Sequence, residues 1–250
     1  MIDRNKVFNY IKDKQYITVN QMCSELSMSI STARRLVIQL EKAGKIGRLH
    51  GGAVVLRGSA RVARTSARIR LDINAERKMK IAKAAAKLVE ENSTIILLSG
   101  STVSYMCHYI KDINLTVITN SFLVLDELMG RPNIRLIILG GLYNHEEAEM
   151  GGIIQNSSIG FLRADRLFIG CSGFDERTGF TNRNYSVDLY RACIQNCNEV
   201  CLLVDSSKYN KGGISIAATP EQVKYLFSDK GLLPEVAQSF ERQGITVVLE

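Results

Sequence analysis

No hydrophobic run in this 250-residue sequence is long enough to cross a bilayer, which takes about 20 residues. The first residues, 1–14, are polar and amphipathic, without the charged stretch, apolar stretch and small-residue cleavage site of a secretory leader. A cytoplasmic protein is therefore expected. The six cysteines, Cys23, Cys107, Cys171, Cys193, Cys197 and Cys201, include no Cys-x-x-Cys pair, which suits buried thiols in a reducing compartment better than disulfides. Cys193, Cys197 and Cys201 recur every four residues, but with only 3 histidines in the chain none completes a ligand set, so no metal is expected. Internal repeats and low-complexity tracts are also missing, which excludes solenoids and disordered arrays. What remains is a chain with 46% hydrophobic and 23% charged residues, able to fold as one large domain or as a small and a medium one.

The charge is unevenly divided. Residues 1–70 carry 14 Lys/Arg against 4 Asp/Glu, while residues 71–250 carry 18 against 21, so all of the excess positive charge of +7 is N-terminal. A basic head on a mildly acidic body suits a protein that meets a polyanion at one end only.

Within the head, Val7, Phe8, Tyr10 and Ile11 recur at helical spacing over residues 3–13, predicting a first helix. Thr18-Val19-Asn20-Gln21 reads as a capping box opening a short second helix that buries Met22 and Leu26. After Ser27-Met28-Ser29, a third helix places Ala33, Leu36, Val37 and Leu40 inward and ends at Gly44. Its N-terminal part leaves Ser31, Thr32, Arg34 and Arg35 mostly outward. Such a helix suits entry into the DNA major groove, with each arginine either pairing with a guanine or holding a phosphate. Residues 45–55 alternate apolar and polar around glycines, as a small hairpin or wing does. There Arg48 and His50 face phosphates, or His50 only caps the turn.

Thr32-Ala33-Arg34-Arg35, Leu40-Glu41-Lys42-Ala43-Gly44 and His50-Gly51-Gly52-Ala53 resemble the N-terminal signature of the deoxyribonucleoside-repressor (DeoR) family. One departure is Leu36, where that family usually has an acidic residue after the paired arginines. The expected DNA contacts are Thr18, Ser31, Thr32, Arg34, Arg35, Arg48 and His50. The expected boundaries are a winged helix-turn-helix over residues 1–56, an Arg-, Ser- and Ala-rich linker over 57–72, and an effector-sensing domain over 73–250.

From Ile73 an amphipathic helix to Glu91 is followed by apolar, β-rich runs at Thr94–Leu98, Leu115–Thr119, Ile134–Leu139, Leu167–Gly170 and Val200–Asp205. Helical patterns over Tyr105–Lys111, Phe122–Gly130, Ser186–Asn196 and Pro234–Gln243 separate or follow them. The fold class is α/β, a mostly parallel sheet covered on both faces. Ligands in such sheets bind where loops leave the carboxyl ends of strands. Ser99-Gly100-Ser101-Thr102 follows the first strand and opens a helix, so backbone N–H groups and hydroxyls can meet an anion there; alone, it is equally an ordinary capped βα loop. Thr119-Asn120-Ser121, Gly140-Gly141, Gly170-Cys171-Ser172-Gly173 and Asp205-Ser206-Ser207-Lys208 follow the other strands. Lys208, with hydroxyls beside it, can neutralise a phosphate as a point charge.

These loops resemble the sensor half of the same family, which is similar in fold to ribose-5-phosphate isomerase and binds phosphorylated sugars or like metabolites. The resemblance implies Ser99, Gly100, Ser101, Thr102, Asn120, Ser121, Gly140, Gly141 and Lys208 as effector contacts. Leu98 stands where the family usually has Asp, which removes a carboxylate from the sugar end. The usual acidic residue after Gly179-Phe180-Thr181 falls on Ser186 or Asp188, depending on alignment. Glu146, Glu147 and Glu149 read as a solvated loop.

The function that follows is a DNA-binding transcriptional regulator, a repressor by expectation, of carbohydrate or related metabolism. Its partners are double-stranded operator DNA, a phosphorylated sugar-like effector and a second copy of the chain in a dimer or tetramer; no cofactor, membrane or catalytic residue is expected. Two alternatives stand beside it. One is a sugar-phosphate isomerase with Asp205 or Asp175 as base, or a nucleophile built from Ser206 or Ser207 with Lys208. The other is a DNA-binding protein whose pocket has decayed to a scaffold.

Overall fold

The computed structural model describes residues 7–11, 16–42, 46–49, 52–55, 66–183 and 187–250. The chain divides into two compact units, Met1–Thr65 and Ser66–Glu250. In the first, helix α1 (residues 7–11), strand β1 (Tyr16–Thr18), helices α2 (Val19–Glu25) and α3 (Ile30–Lys42), and strands β2 (Ile46–Leu49) and β3 (Gly52–Val55) follow one another. The rest of the predicted first helix lies outside the described residues, as do Gly44 and His50. Val7, Ile11, Met22, Ala33, Leu36, Val37, Leu40 and Ile46 form one buried cluster, the stripe the helical spacing demands. The capping box is present: the Gln21 N–H donates to Thr18 Oγ1 at 3.1 Å, and the Thr18 N–H to Gln21 Oε1 at 2.9 Å. β2 and β3 pair antiparallel as the expected wing. β1 adds to β3 on its other side, giving the order β1-β3-β2 that the sequence reading did not foresee.

The second unit opens with α4 (Ser66–Asp72), in a stretch expected to be linker, and α5 (Ala75–Ala85). They are separated at Asn74, which is left-handed with φ 56°. Then come β4 (Thr94–Leu97), α6 (Ser101–Met106), β5 (Leu115–Thr119), α7 (Phe122–Leu128), β6 (Ile134–Ile138), the hairpin β7 (Leu142–Asn144) and β8 (Glu149–Gly151), and α8 (Ile153–Ile159). The chain continues through β9 (Ala164–Ile169), β10 (Gly173–Asp175), β11 (Gly179–Asn182), α9 (Asp188–Gln195), β12 (Cys197–Leu203), β13 (Ser215–Ala218), β14 (Tyr225–Ser228), α10 (Pro234–Arg242) and β15 (Thr246–Leu249).

Seven parallel strands lie in the order β15-β14-β12-β9-β4-β5-β6. Successive residues of β4, and Leu98 directly after it, show why the run is apolar throughout. Ile95 and Leu97 pack with α5, α6 and α7 on one face, while Ile96 and Leu98 pack with α8, α9 and α10 on the other. β14 and β15, which extend the sheet, were not anticipated. The strand order reverses between β4 and β9, so a crevice opens at their carboxyl ends, the place where such sheets hold ligands. Among the described residues no helix is long and apolar enough to cross a membrane.

Candidate functional site

Two surfaces carry chemistry, one in each unit. On α3 the buried positions Ala33, Leu36, Val37 and Leu40 leave Ser31, Arg34, Arg35 and Gln39 exposed, with Thr32 half-buried. Ser29 Oγ accepts the Thr32 N–H at 3.2 Å and lies 2.9 Å from the hydroxyls of both Ser31 and Thr32. The exposed N-terminal part of the helix is thus a patch of hydroxyls and guanidiniums. Leu36, where an acidic residue is usual in the resembled family, is buried and anchors the helix from beneath. Thr18 is spent on the α2 cap, so its hydroxyl stands at a helix terminus and not on the α3 face. Arg48 belongs to β2, and its side chain, like His50, lies outside the described residues.

In the second unit a cavity of about 860 Å³ opens at the strand-order reversal. Ser99, Gly100, Ser101 and Thr102 line it from beyond β4, Asn120 from beyond β5, Gly170, Cys171 and Ser172 from beyond β9, and Asp205 and Lys208 from beyond β12. Three expected contacts do not line it. Ser121 is buried and caps α7, its Oγ accepting the Val124 N–H at 3.4 Å. Gly141 (φ 153°) lets its chain pass the Gly151 carbonyl so closely that a Cβ there would come within 2.3 Å of that oxygen. Gly140 sits beside it in the turn leading into β7. Leu98 points into the apolar core, 1% exposed, and not into the cavity. Of the two candidates for the acidic position after Thr181, Ser186 lies outside the described residues and Asp188 is exposed in the first turn of α9.

The remaining wall comes from residues the sequence reading passed over. Lys78, on α5, is 3% exposed and donates to the Arg70 carbonyl; burial brings its pKa down to about 8, with Asp205 opposing and Lys208 reinforcing that shift. Lys208 is half-buried and shifted down for the same first reason, and among the described residues its ammonium has no hydrogen-bond or ion-pair partner. Glu149, read beforehand as solvated, instead lines the cavity and accepts from Ser99 Oγ, and burial raises its pKa. Asn120 braces that region: its Oδ1 accepts the Ser99 N–H at 3.1 Å and its Nδ2 donates to the Met150 carbonyl at 3.0 Å. Glu146 and Glu147 also have specific partners. The Ser66 hydroxyl donates to Glu146 at 2.8 Å, and Arg70 pairs with Glu147 at 2.5 Å, which holds α4 beside the cavity it lines through Ser66, Ile69 and Arg70.

The groups an isomerase would need are otherwise engaged. Asp205 Oδ1 accepts from Asn74 Nδ2 at 3.1 Å, the Ser207 N–H at 3.2 Å and the Ser207 hydroxyl. Asp175 closes the β10–β11 turn, its Oδ1 accepting the Arg177 and Thr178 N–H groups at 2.9 and 2.6 Å. Ser206 donates to Asp229 at 2.9 Å, so neither Ser206 nor Ser207 is directed at Lys208. All six cysteines are free, and burial pushes the Cys171 thiol, at the cavity wall, up to about 12.

Comparison with known proteins matches both units. Residues 4–58 fit the DeoR-like helix-turn-helix domain and residues 73–230 the DeoR C-terminal sensor domain. The HTH-type transcriptional regulator GolR of Listeria innocua is 32% identical over 246 residues, covering 98% of this chain and 96% of that protein. The glycerol-3-phosphate regulon repressor of Escherichia coli K12 is 28% identical over 230 residues, covering 90% of this chain and 89% of that protein. Among solved structures, ribose 5-phosphate isomerase A of Methanocaldococcus jannaschii is 24% identical with a TM-score of 0.41, over 55% of this chain and 56% of that one. The chain belongs to the DeoR family of helix-turn-helix transcriptional regulators, and it is a regulator, not an enzyme.

Proposed function

We propose that the protein is a cytoplasmic repressor of carbohydrate or related metabolism whose operator affinity is set by a phosphorylated, sugar-like effector in the second unit's cavity. The observation that carries this is Lys208, an ammonium without a hydrogen-bond or ion-pair partner among the described residues, in one polar cavity with the buried Lys78 and the Ser99–Thr102 loop. Two lysines held out of bulk water favour an anion strongly, because a dianion restores the charge balance that burial upsets. Similarity to a glycerol-3-phosphate regulon repressor supports a phosphate ester as that anion. Ser99, Gly100, Ser101, Thr102, Asn120 and Lys208 remain the proposed effector-site residues, to which Lys78 and Glu149 are added; Ser121, Gly140 and Gly141 support the loops behind them.

On the DNA side, Ser31, Thr32, Arg34 and Arg35 form the groove-facing set, with Arg48 and His50 on the wing and Thr18 at the α2 terminus close to phosphate. A single winged helix reads few base pairs, so a homodimer or tetramer on paired half-sites completes the reading. We place the domain limits at residues 1–56 and 73–250, with the connection between them ending in α4. Since α4 both follows the DNA-binding unit in the chain and lines the cavity, it is the element through which occupancy alters operator affinity.

The test is operator binding by the full chain on fragments upstream of its own and neighbouring genes, at two salt concentrations, with and without sugar phosphates. Salt-sensitive, sequence-selective binding relieved by one phosphate ester is the expected result. Selective binding that no phosphate ester changes would favour a decayed pocket, and the absence of selective binding would remove the regulatory reading.

A further inference from the structure

A phosphate accounts for the lysines of the cavity but not for its other wall. Gln155, on α8, lines the cavity, is 6% exposed, and among the described residues its carbonyl oxygen is buried without a hydrogen-bond partner. A buried acceptor left unsatisfied is costly, and protein interiors leave few of them. Glu149, six residues earlier on β8, is the second acceptor on this side. It accepts from Ser99 Oγ, and an ionised carboxylate has further lone pairs to offer and no hydrogen to donate. A phosphate dianion, which only accepts, serves neither residue: both the carboxylate and the amide carbonyl ask for hydrogen-bond donors. The Gly152 turn (φ 100°) between β8 and α8 sets both residues in one short stretch of chain.

We infer that Gln155 and Glu149 are specificity residues that select, among phosphate esters, those whose carbon chain carries hydroxyl or amino donors. This rests on the reading of the cavity as the effector site and deepens it: the lysines hold the anionic end, and the acceptor wall examines the rest of the molecule. A site built to hydrogen-bond a ligand hydroxyl rejects the analogue lacking it, because its own buried polar groups are then left unpaired. Hydrophobic contact with the same carbon skeleton discriminates far less. Bare phosphate and simple alkyl phosphates would therefore bind weakly even though they satisfy the lysines, and the regulator would ignore the inorganic phosphate around it.

The experiment is calorimetric titration of the full-length chain with inorganic phosphate, propyl phosphate, glycerol phosphate and a series of pentose and hexose phosphates. The wild-type protein is expected to prefer at least one polyhydroxylated ester over propyl phosphate by about 100-fold. Gln155→Met, close to the same size but without the acceptor, and Glu149→Gln, which keeps shape but removes the charge, are each expected to cut that preference to about tenfold or less. Their operator affinity in the absence of any ester should stay near the wild-type value, and circular dichroism and thermal melting would verify their folding. A preference that survives in both folded variants would overturn the inference and leave the phosphate site standing. Should the wild-type chain bind none of the esters, the effector-site reading and this inference would fall together.

Discussion

The two halves of this regulator hold positive charge in opposite ways. On α3, Arg34 and Arg35 stand exposed to solvent. In the cavity, Lys78 is buried and Lys208 half-buried, so each is partly stripped of water before any ligand enters, and their charge becomes adjustable. The difference predicts that DNA binding responds mainly to salt, which screens exposed charge, while effector binding responds mainly to pH, which sets whether a buried ammonium exists.

The largest effect should come from the exposed pair. Replacing Arg34 and Arg35 together by alanine is expected to weaken operator binding about 1000-fold, since each base or phosphate contact of this kind is worth roughly 1–3 kcal/mol. It should also flatten the dependence of affinity on salt, as fluorescence anisotropy across a salt series would reveal, and leave the effector's thermal stabilisation of the protein untouched. An unchanged operator affinity would move the DNA-reading surface off α3. Lys208→Met inverts the pattern. Effector affinity should drop about 10- to 100-fold in calorimetry, in line with roughly 1.5–3 kcal/mol for a hydrogen bond to a charged group, with operator affinity in the absence of effector preserved.

The contrast also explains what could be read from the sequence. The proposed DNA-binding face is local: the capping box at Thr18 and Gln21, the stripe of Ala33, Leu36, Val37 and Leu40, and the outward arginines all fall within a few turns of chain, where spacing alone assigns each side chain to a face. The cavity is assembled from segments between residues 66 and 208, and only the loops that directly follow strands announced themselves. Lys78 was hidden among Arg77, Lys80, Lys83 and Lys87, although its position three, four and seven residues before the buried Ile81, Ala82 and Ala85 puts it on the buried stripe of α5. That periodicity could have found it. Nothing comparable marks Glu149 or Gln155, because β8 is only three residues long and α8 leaves Ile153 and Ile154 exposed, so no pattern distinguishes the polar position that faces inward. α4 was masked by composition, its arginines reading as a charged linker until Arg70 and Arg68 find Glu147 and Asp126.

A change of pH separates the two halves without any substitution. With a folded pKa near 8 and an unfolded value near 10.4, Lys78 binds fewer protons in the native state over that interval, so the effector-free protein should gain stability as pH rises through it. The effector acts in the other direction, because it requires the ammonium. Between pH 7 and pH 9 the protonated fraction of Lys78 falls about tenfold while a phosphate ester stays fully ionised, so the effector's dissociation constant should rise about tenfold. Operator affinity, resting on arginines, should change little over the same range. Calorimetry and anisotropy at the two pH values test both halves at once, and equal sensitivity of the two would dissolve the contrast.

The smallest effect tests how the halves communicate. If α4 carries the signal, its anchors should govern how strongly effector and DNA oppose each other without governing how tightly either binds alone. The Arg70–Glu147 pair is partly exposed, with side chains 35% and 25% accessible, so breaking it costs little stability, of the order of a surface ion pair. Arg70 nevertheless lines the cavity, and its carbonyl receives the Lys78 ammonium. An anion drawing Lys78 away from that carbonyl would therefore act on α4 directly, and Glu147 is the group that resists the movement. Glu147→Gln is expected to leave operator affinity and effector affinity each within about twofold of wild type while changing the factor by which one weakens the other by about three- to fivefold, a fraction of the 1–3 kcal/mol typical of coupling between sites. Measuring operator affinity at zero and saturating effector for both proteins yields that factor. A factor identical in the two would take α4 out of the route between them.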